Sequence, residues 1–179
     1  MATLYKKMSR ALHRVDNEIA RVESLLLVLM MFALTLILVC QVILRYFFNA
    51  PLFWAEEVSV QLLISVTFLG ISYLIHQGNM IKVDFLLELL PKGTTDKVEL
   101  GLRVLGLATL LVFCWVATEW ILQPEIKLDV SPTTGIPNWY NYLLVVVSFY
   151  LMSWHLLVKL ITGKPHMHSD ASLSLPEEG

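Results

Sequence analysis

Polar residues near Arg45 and Glu57 interrupt an otherwise apolar sequence, and they do so at helical spacing. Gln41 and Arg45 are four residues apart, as are Glu57, Gln61 and Ser65, so each set lines one face of a helix. The connection RYFFNAPLFWAEE is short enough to make the two helices antiparallel neighbours, which brings Arg45 within reach of Glu56 or Glu57. Two chemistries fit this patch. A guanidinium beside carboxylates at a wet boundary pins two helix ends, a contact worth ~0–1 kcal/mol. The same patch, with Trp54 beside it, could instead dock a partner.

His76 and His155 form a second candidate pair. Two facing imidazoles can ligate a haem iron, which would make the chain a membrane anchor of a redox enzyme. Gln77-Gly78-Asn79 follows His76 directly and reads as a loop, which instead places His76 at the water boundary as a lone interfacial side chain. Cys40 and Cys114 show no CxxC or metal-ligand spacing. They read as small hydrophobes, with a disulfide between them as the alternative. No catalytic residue, metal or cofactor is expected, and the chain is not read as an enzyme.

The elements that position these residues are four long apolar stretches, at 24–44, 58–75, 100–121 and 142–158. Each approaches the ~17–25 helical residues that cross a ~30 Å hydrocarbon layer. Composition agrees: 56% of the 179 residues are hydrophobic and 16% charged, with a mean hydropathy of +0.66, which excludes an ordinary soluble domain. The expected fold is an all-α integral membrane protein with four transmembrane helices and one amphipathic interfacial helix on the cytoplasmic side. No proline lies inside any stretch and no Asp, Glu, Lys or Arg lies near a midpoint. Chains that move a charged solute usually carry broken helices or buried charges there, so this one reads as a helper.

Orientation follows from the basic residues. Eleven of the thirteen Lys and Arg fall before the first stretch, between the second and third or in the first turn of the third (Arg103), or after the fourth; only Arg45 and Lys127 fall on the other side. Both termini are therefore expected in the cytoplasm, and the 122–141 connection, Ser131 included, outside. Trp54, Trp120, Trp139, Tyr46, Tyr140 and Tyr142 gather at that outer face as an aromatic belt. The basic amino terminus is too long for a secretory signal, and no small-residue cleavage site follows it.

Residues 1–23 carry apolar positions at helical spacing among basic ones, the pattern of a cytoplasmic amphipathic segment on an anionic leaflet or of a solvated extension of the first span. The run MIKVDFLLELL, residues 80–90, is too short to span and is expected to lie in the interface with Phe85 on its apolar stripe. The membrane domain is read as 24–160, followed by a disordered cytoplasmic tail at 161–179.

Several of these residues carry a resemblance. Arg45, Trp54-Ala55-Glu56-Glu57, Phe68-Leu69-Gly70, His76-Gln77-Gly78-Asn79, Ile81-Lys82-Val83-Asp84 and Gly135-Ile136-Pro137-Asn138-Trp139, in this order, resemble the small membrane subunit (Q-type, DctQ-like) of tripartite ATP-independent periplasmic (TRAP) transporters. The likeness covers the four-span body, roughly 23–160. The family often has His where Asn79 stands here. The resemblance implies a bacterial inner-membrane scaffold for a large multi-span subunit that carries the substrate and sodium sites. It further implies a periplasmic binding protein that delivers a carboxylate-bearing solute. Membrane lipid is the other partner expected from the apolar stretches, and no nucleic acid is expected. Arg45, Trp54, Glu56, Glu57, Gln61, Gly70, His76 and Phe85 are the candidate interface residues. A four-span drug exporter would need a carboxylate deep inside a span, and Glu119 is too close to the boundary. An assembly chaperone would need nothing the sequence lacks.

Overall fold

A computed structural model describes residues 2–78 and 92–162. The first helix, α1 (Ala2–Phe47), runs 46 residues without a break, because no Gly or Pro occurs before Pro51. It therefore passes through residue 23 into the first apolar stretch with no boundary. Its end is a left-handed turn: Asn49 takes the left-handed conformation at φ 49°, and the Ala50 N–H bonds back to the Leu44 carbonyl at 3.1 Å. The chain then reverses into α2 (Phe53–Gln77), which stops at Gly78. There φ is 83°, and the Gly78 N–H meets the Leu74 and Ile75 carbonyls. Residues 80–90, including Phe85, and the tail beyond 162 lie outside the described residues.

After α3 (Lys92–Ile121) come a short helix, α4 (Pro124–Leu128), and a loop closed on itself around Gly135. In that loop the Ser131 N–H bonds to the Ile136 carbonyl at 2.9 Å and the Asn138 N–H to the Asp129 carbonyl at 3.0 Å. The last helix among the described residues is α5 (Trp139–Thr162). Among the described residues, four helices, all but α4, are long and apolar enough to cross a membrane. They alternate in direction, so the amino end of α1, the carboxyl end of α2, the amino end of α3 and the carboxyl end of α5 share one end of the bundle. That is the end where basic residues collect. The opposite, aromatic end holds Trp120 against Tyr142 and Trp139 against Tyr140, with ring centroids 5.0 and 4.1 Å apart.

The helices lie in the order α1, α2, α5, α3, with α5 also touching α1. Large apolar side chains such as Phe32, Leu105 and Trp115 point outward, while Ser59, Ser65, Ser72, Ser148 and Ser153 are buried. This inversion of a water-soluble core is expected in lipid, where small residues let helices approach and outward apolar groups meet acyl chains. Several buried hydroxyls satisfy themselves on the preceding turn, as Ser148 does on the Leu144 carbonyl and Ser153 on that of Phe149. Cys114 is buried with its sulfur 3.4 Å from the Ser153 hydroxyl, whereas Cys40 is exposed; both are free thiols.

Candidate functional site

Two polar layers bracket the apolar middle. At the basic end, α1 contributes Asp16 and Glu23, seven residues apart and hence two turns along one face. α2 contributes Ser72 and His76, and α5 contributes His155. Asp16 lies between the histidines, with one carboxylate oxygen 2.9 Å from His76 Nδ1 and the other 2.7 Å from His155 Nδ1. His155 Nε2 is 3.1 Å from Glu23 Oε2, and the Ser72 hydroxyl donates to Glu23 Oε1 at 2.6 Å. The His155 side chain is fully buried and those of Asp16 and Glu23 nearly so, while His76 keeps 18% of its surface. The two imidazole rings touch edge to face at 5.0 Å. Lys159, one turn beyond His155, adds positive charge near Asp16. Buried charges persist only when each has a bonded partner, and this cluster supplies one for each carboxylate oxygen.

At the aromatic end the groups are mostly neutral. Gln61 donates from Nε2 to Ser131 Oγ at 3.0 Å and to Asn138 Oδ1 at 2.8 Å. Ser131 donates to the same Asn138 oxygen at 2.7 Å. One turn deeper, the Ser65 hydroxyl lies 2.8 Å from Asn141 Oδ1. Glu57 accepts from the backbone N–H and the hydroxyl of Thr133. Asp129 accepts from the Tyr142 hydroxyl at 2.7 Å and Asn138 Nδ2 at 3.2 Å, and these bonds, Tyr142 first, hold its carboxyl below its ordinary range. Gln41 donates to Glu56 at 3.2 Å, tying α1 to α2.

Glu23 and Gln41 are eighteen residues apart on α1, ~27 Å of helical rise. That separation matches the ~30 Å hydrocarbon thickness. Between Glu23 and Gln41, α1 carries no Asp, Glu, Lys or Arg, and Glu119 of α3 stands next to Trp120 of the aromatic end.

Residues 34–164 match the family described as tripartite ATP-independent periplasmic transporters, DctQ component. The chain belongs to this family. It is 24% identical over 137 residues, 76% of its length and 71% of the other protein's, to the ectoine TRAP transporter small permease protein TeaB of Halomonas elongata. With a putative TRAP transporter small permease protein of Haemophilus influenzae it shares 27% over 161 residues, covering 87% and 93% of the two chains. A third relative, the sialic acid TRAP transporter permease protein SiaT of H. influenzae, is 34% identical over 135 residues; these cover 73% of this chain but 22% of SiaT. The protein is thus a multi-pass transporter subunit and not an enzyme.

Within this DctQ-family chain several residues stand where the sequence places them and others do not. Gln61 and Glu57 line one face of α2 as expected, and both turn toward the loop before α5. The expected pairing of Arg45 with Glu56 or Glu57 is not formed. Gln41 takes Glu56 and Thr133 takes Glu57, while Arg45 lies exposed with its guanidinium carbon 6.0 Å from the Tyr46 ring centroid. Reading His76 as a lone interfacial side chain is likewise corrected, since Asp16 and His155 hold it. Two rings in direct contact on one carboxylate leave no room for a porphyrin between them, so the haem-anchor reading is not favoured. Ser131 is 1% exposed rather than accessible. Trp54 is 43% exposed in the first turn of α2, and Gly70 faces Leu27 of α1, with ordinary van der Waals room for a methyl group.

Sequence reasoning missed Asp16, Glu23 and Asn138. The seven-residue interval between Asp16 and Glu23, with Ala20 between them on the same face, is the signal that could have found the first two.

Proposed function

We propose that this subunit is the fixed scaffold of a TRAP transporter: it packs against a large multi-span membrane subunit and carries no solute itself. The observation that supports this reading is the ~27 Å of α1 between Glu23 and Gln41, which carries no charged group and no break, with α2 and α5 likewise uncharged between Glu57 and His76 and between Trp139 and His155. A carboxylate or a cation crossing there would have nothing to replace its hydration. The proportion of SiaT that the chain matches supports the partner, because in that relative a segment like this one makes up about a fifth of a larger permease. The substrate proposed is an organic acid imported with sodium; ectoine and sialic acid, named for two relatives, both carry a carboxylate.

In this proposal the basic end faces the bacterial cytoplasm, with both termini inside. Arg45, Trp54, Glu56 and Glu57 then face the periplasm, where the binding protein docks. Single cysteines at Thr3 and Ser172 should resist an impermeant thiol reagent on intact cells, and one at the exposed Lys127 should react, in a background without Cys40 and Cys114. Labelling at Thr3 from outside would invert the orientation.

The functional test is sodium-driven uptake into proteoliposomes holding the large subunit and the binding protein. Uptake should require this chain, and the chain alone should move nothing. Full uptake without it, or uptake by it alone, would sink the scaffold assignment. Loss in Arg45→Ala with normal assembly supports docking at the aromatic end.

A further inference from the structure

We infer that Asp16, His76 and His155 form a binding site for a divalent transition-metal ion of the zinc type. One ligand atom from each lies within 4.8 Å of the other two. The two Asp16 oxygens face the Nδ1 atoms of different imidazoles, at 2.9 and 2.7 Å. Ligand atoms bound to a tetrahedral zinc at ~2.0–2.2 Å stand ~3.3–3.5 Å from one another, so side-chain shifts of about 1 Å admit the ion. Two imidazole nitrogens and a carboxylate suit zinc and its neighbours; calcium and magnesium prefer oxygen alone.

The surroundings are those of a metal site as well. A ligating His is normally oriented by a carboxylate on its other nitrogen, which fixes tautomer and ring angle. Here Glu23 stands 3.1 Å from His155 Nε2, and Glu23 is itself held by the Ser72 hydroxyl at 2.6 Å. The cation would sit against two buried carboxylates, which favours its charge at the edge of the apolar layer. Access is also present. A cleft of about 500 Å³, lined by Asn17, Arg21, Ser24 and Tyr73, opens onto His76, the most exposed of the three ligands. Zinc held by three protein ligands takes a fourth from water or solute, which the cleft beside His76 would supply. Bound there, the metal clamps α1, α2 and α5 together, and its binding energy becomes folding energy. This inference stands apart from the transport reading: a scaffold needs no metal, and a metal clamp does not require a scaffold.

The test uses the full chain purified without a histidine tag, with His166 and His168 of the tail replaced by alanine so that they cannot bind metal. After equilibration with ZnCl₂ and desalting, elemental analysis should find about one zinc per chain. His155→Gln and Asp16→Asn should lose it. His76→Gln, at the least buried of the three and still able to donate to Asp16, should fold and yet lose it too. Glu23→Gln should weaken binding by about 10–100-fold. Glu57→Gln, in the other polar layer, should bind as the parent does. Zinc should raise the thermal midpoint of the parent and not of His76→Gln, and Co²⁺ should give a visible d–d band only in the parent. A parent that retains no zinc, or equal zinc in the parent and in a folded His76→Gln, would overturn the inference.

Discussion

The two polar layers are built on opposite terms. At the basic end, ionisable side chains from α1, α2 and α5 are sealed away from solvent and bonded to one another. At the aromatic end, amides and hydroxyls from α2, α5 and the loop between α4 and α5 share bonds at a half-open surface, and its carboxylates face outward. The contrast shows where a membrane bundle draws its specificity. Van der Waals packing between small residues lets helices slide, whereas a carboxylate that finds partners on two other helices fixes one register. The amide layer fixes the loop instead.

This contrast is broken most sharply by His155→Leu. It leaves Asp16 and Glu23 buried with fewer partners, and loss of one member of a buried charge network costs about 3–5 kcal/mol. Thermal unfolding in detergent should show that loss, and replacing Asp16 and Glu23 by Leu as well should recover most of it, because an apolar set strands no charge. Asn138→Ala removes the acceptor of Gln61 and Ser131 at a partly wet site. About 1–3 kcal/mol should be lost there, with helix register unchanged.

Smaller effects sharpen the comparison. The lowered Asp129 carboxyl contributes stability above about pH 4 that disappears as the pH falls through its folded value. Thermal midpoints of the parent and Tyr142→Phe should therefore differ at pH 7 and converge on acidification; a constant gap would mean that Asp129 is not the partner that matters. Arg45→Ala should shift stability by no more than about 0.5 kcal/mol, because no carboxylate among the described residues holds its guanidinium.

The four spans were legible because length and apolarity alone specify them, and the Gln61–Ser65 face because helical spacing does. The basic-end cluster was not. Asp16 and Glu23 lie outside the apolar run, where they read as the polar face of a surface helix. The contact between Asp16 and His155 joins residues 139 positions apart, beyond any local period. Arg45 misled for a geometric reason: it sits one turn past Gln41, ~6 Å further along the axis, so the shorter amide reaches Glu56 first. The amide layer was half legible, since Gln61 declared itself on α2 while Asn138 was seen only as part of a resemblance and not as a bonding partner.

The central claim is that this bundle stays still while its partner moves. Gly70 and Leu27 face each other across α1 and α2, one turn from the Glu23–Ser72 bond. A Leu27→Cys/Gly70→Cys pair, in a chain with Cys40 and Cys114 replaced, can be bridged by a short bifunctional thiol reagent. Uptake by the reconstituted transporter should then be the same before and after bridging. Loss of uptake on bridging, with return on cleavage of the bridge, would contradict the account and show that α1 and α2 move against each other during transport.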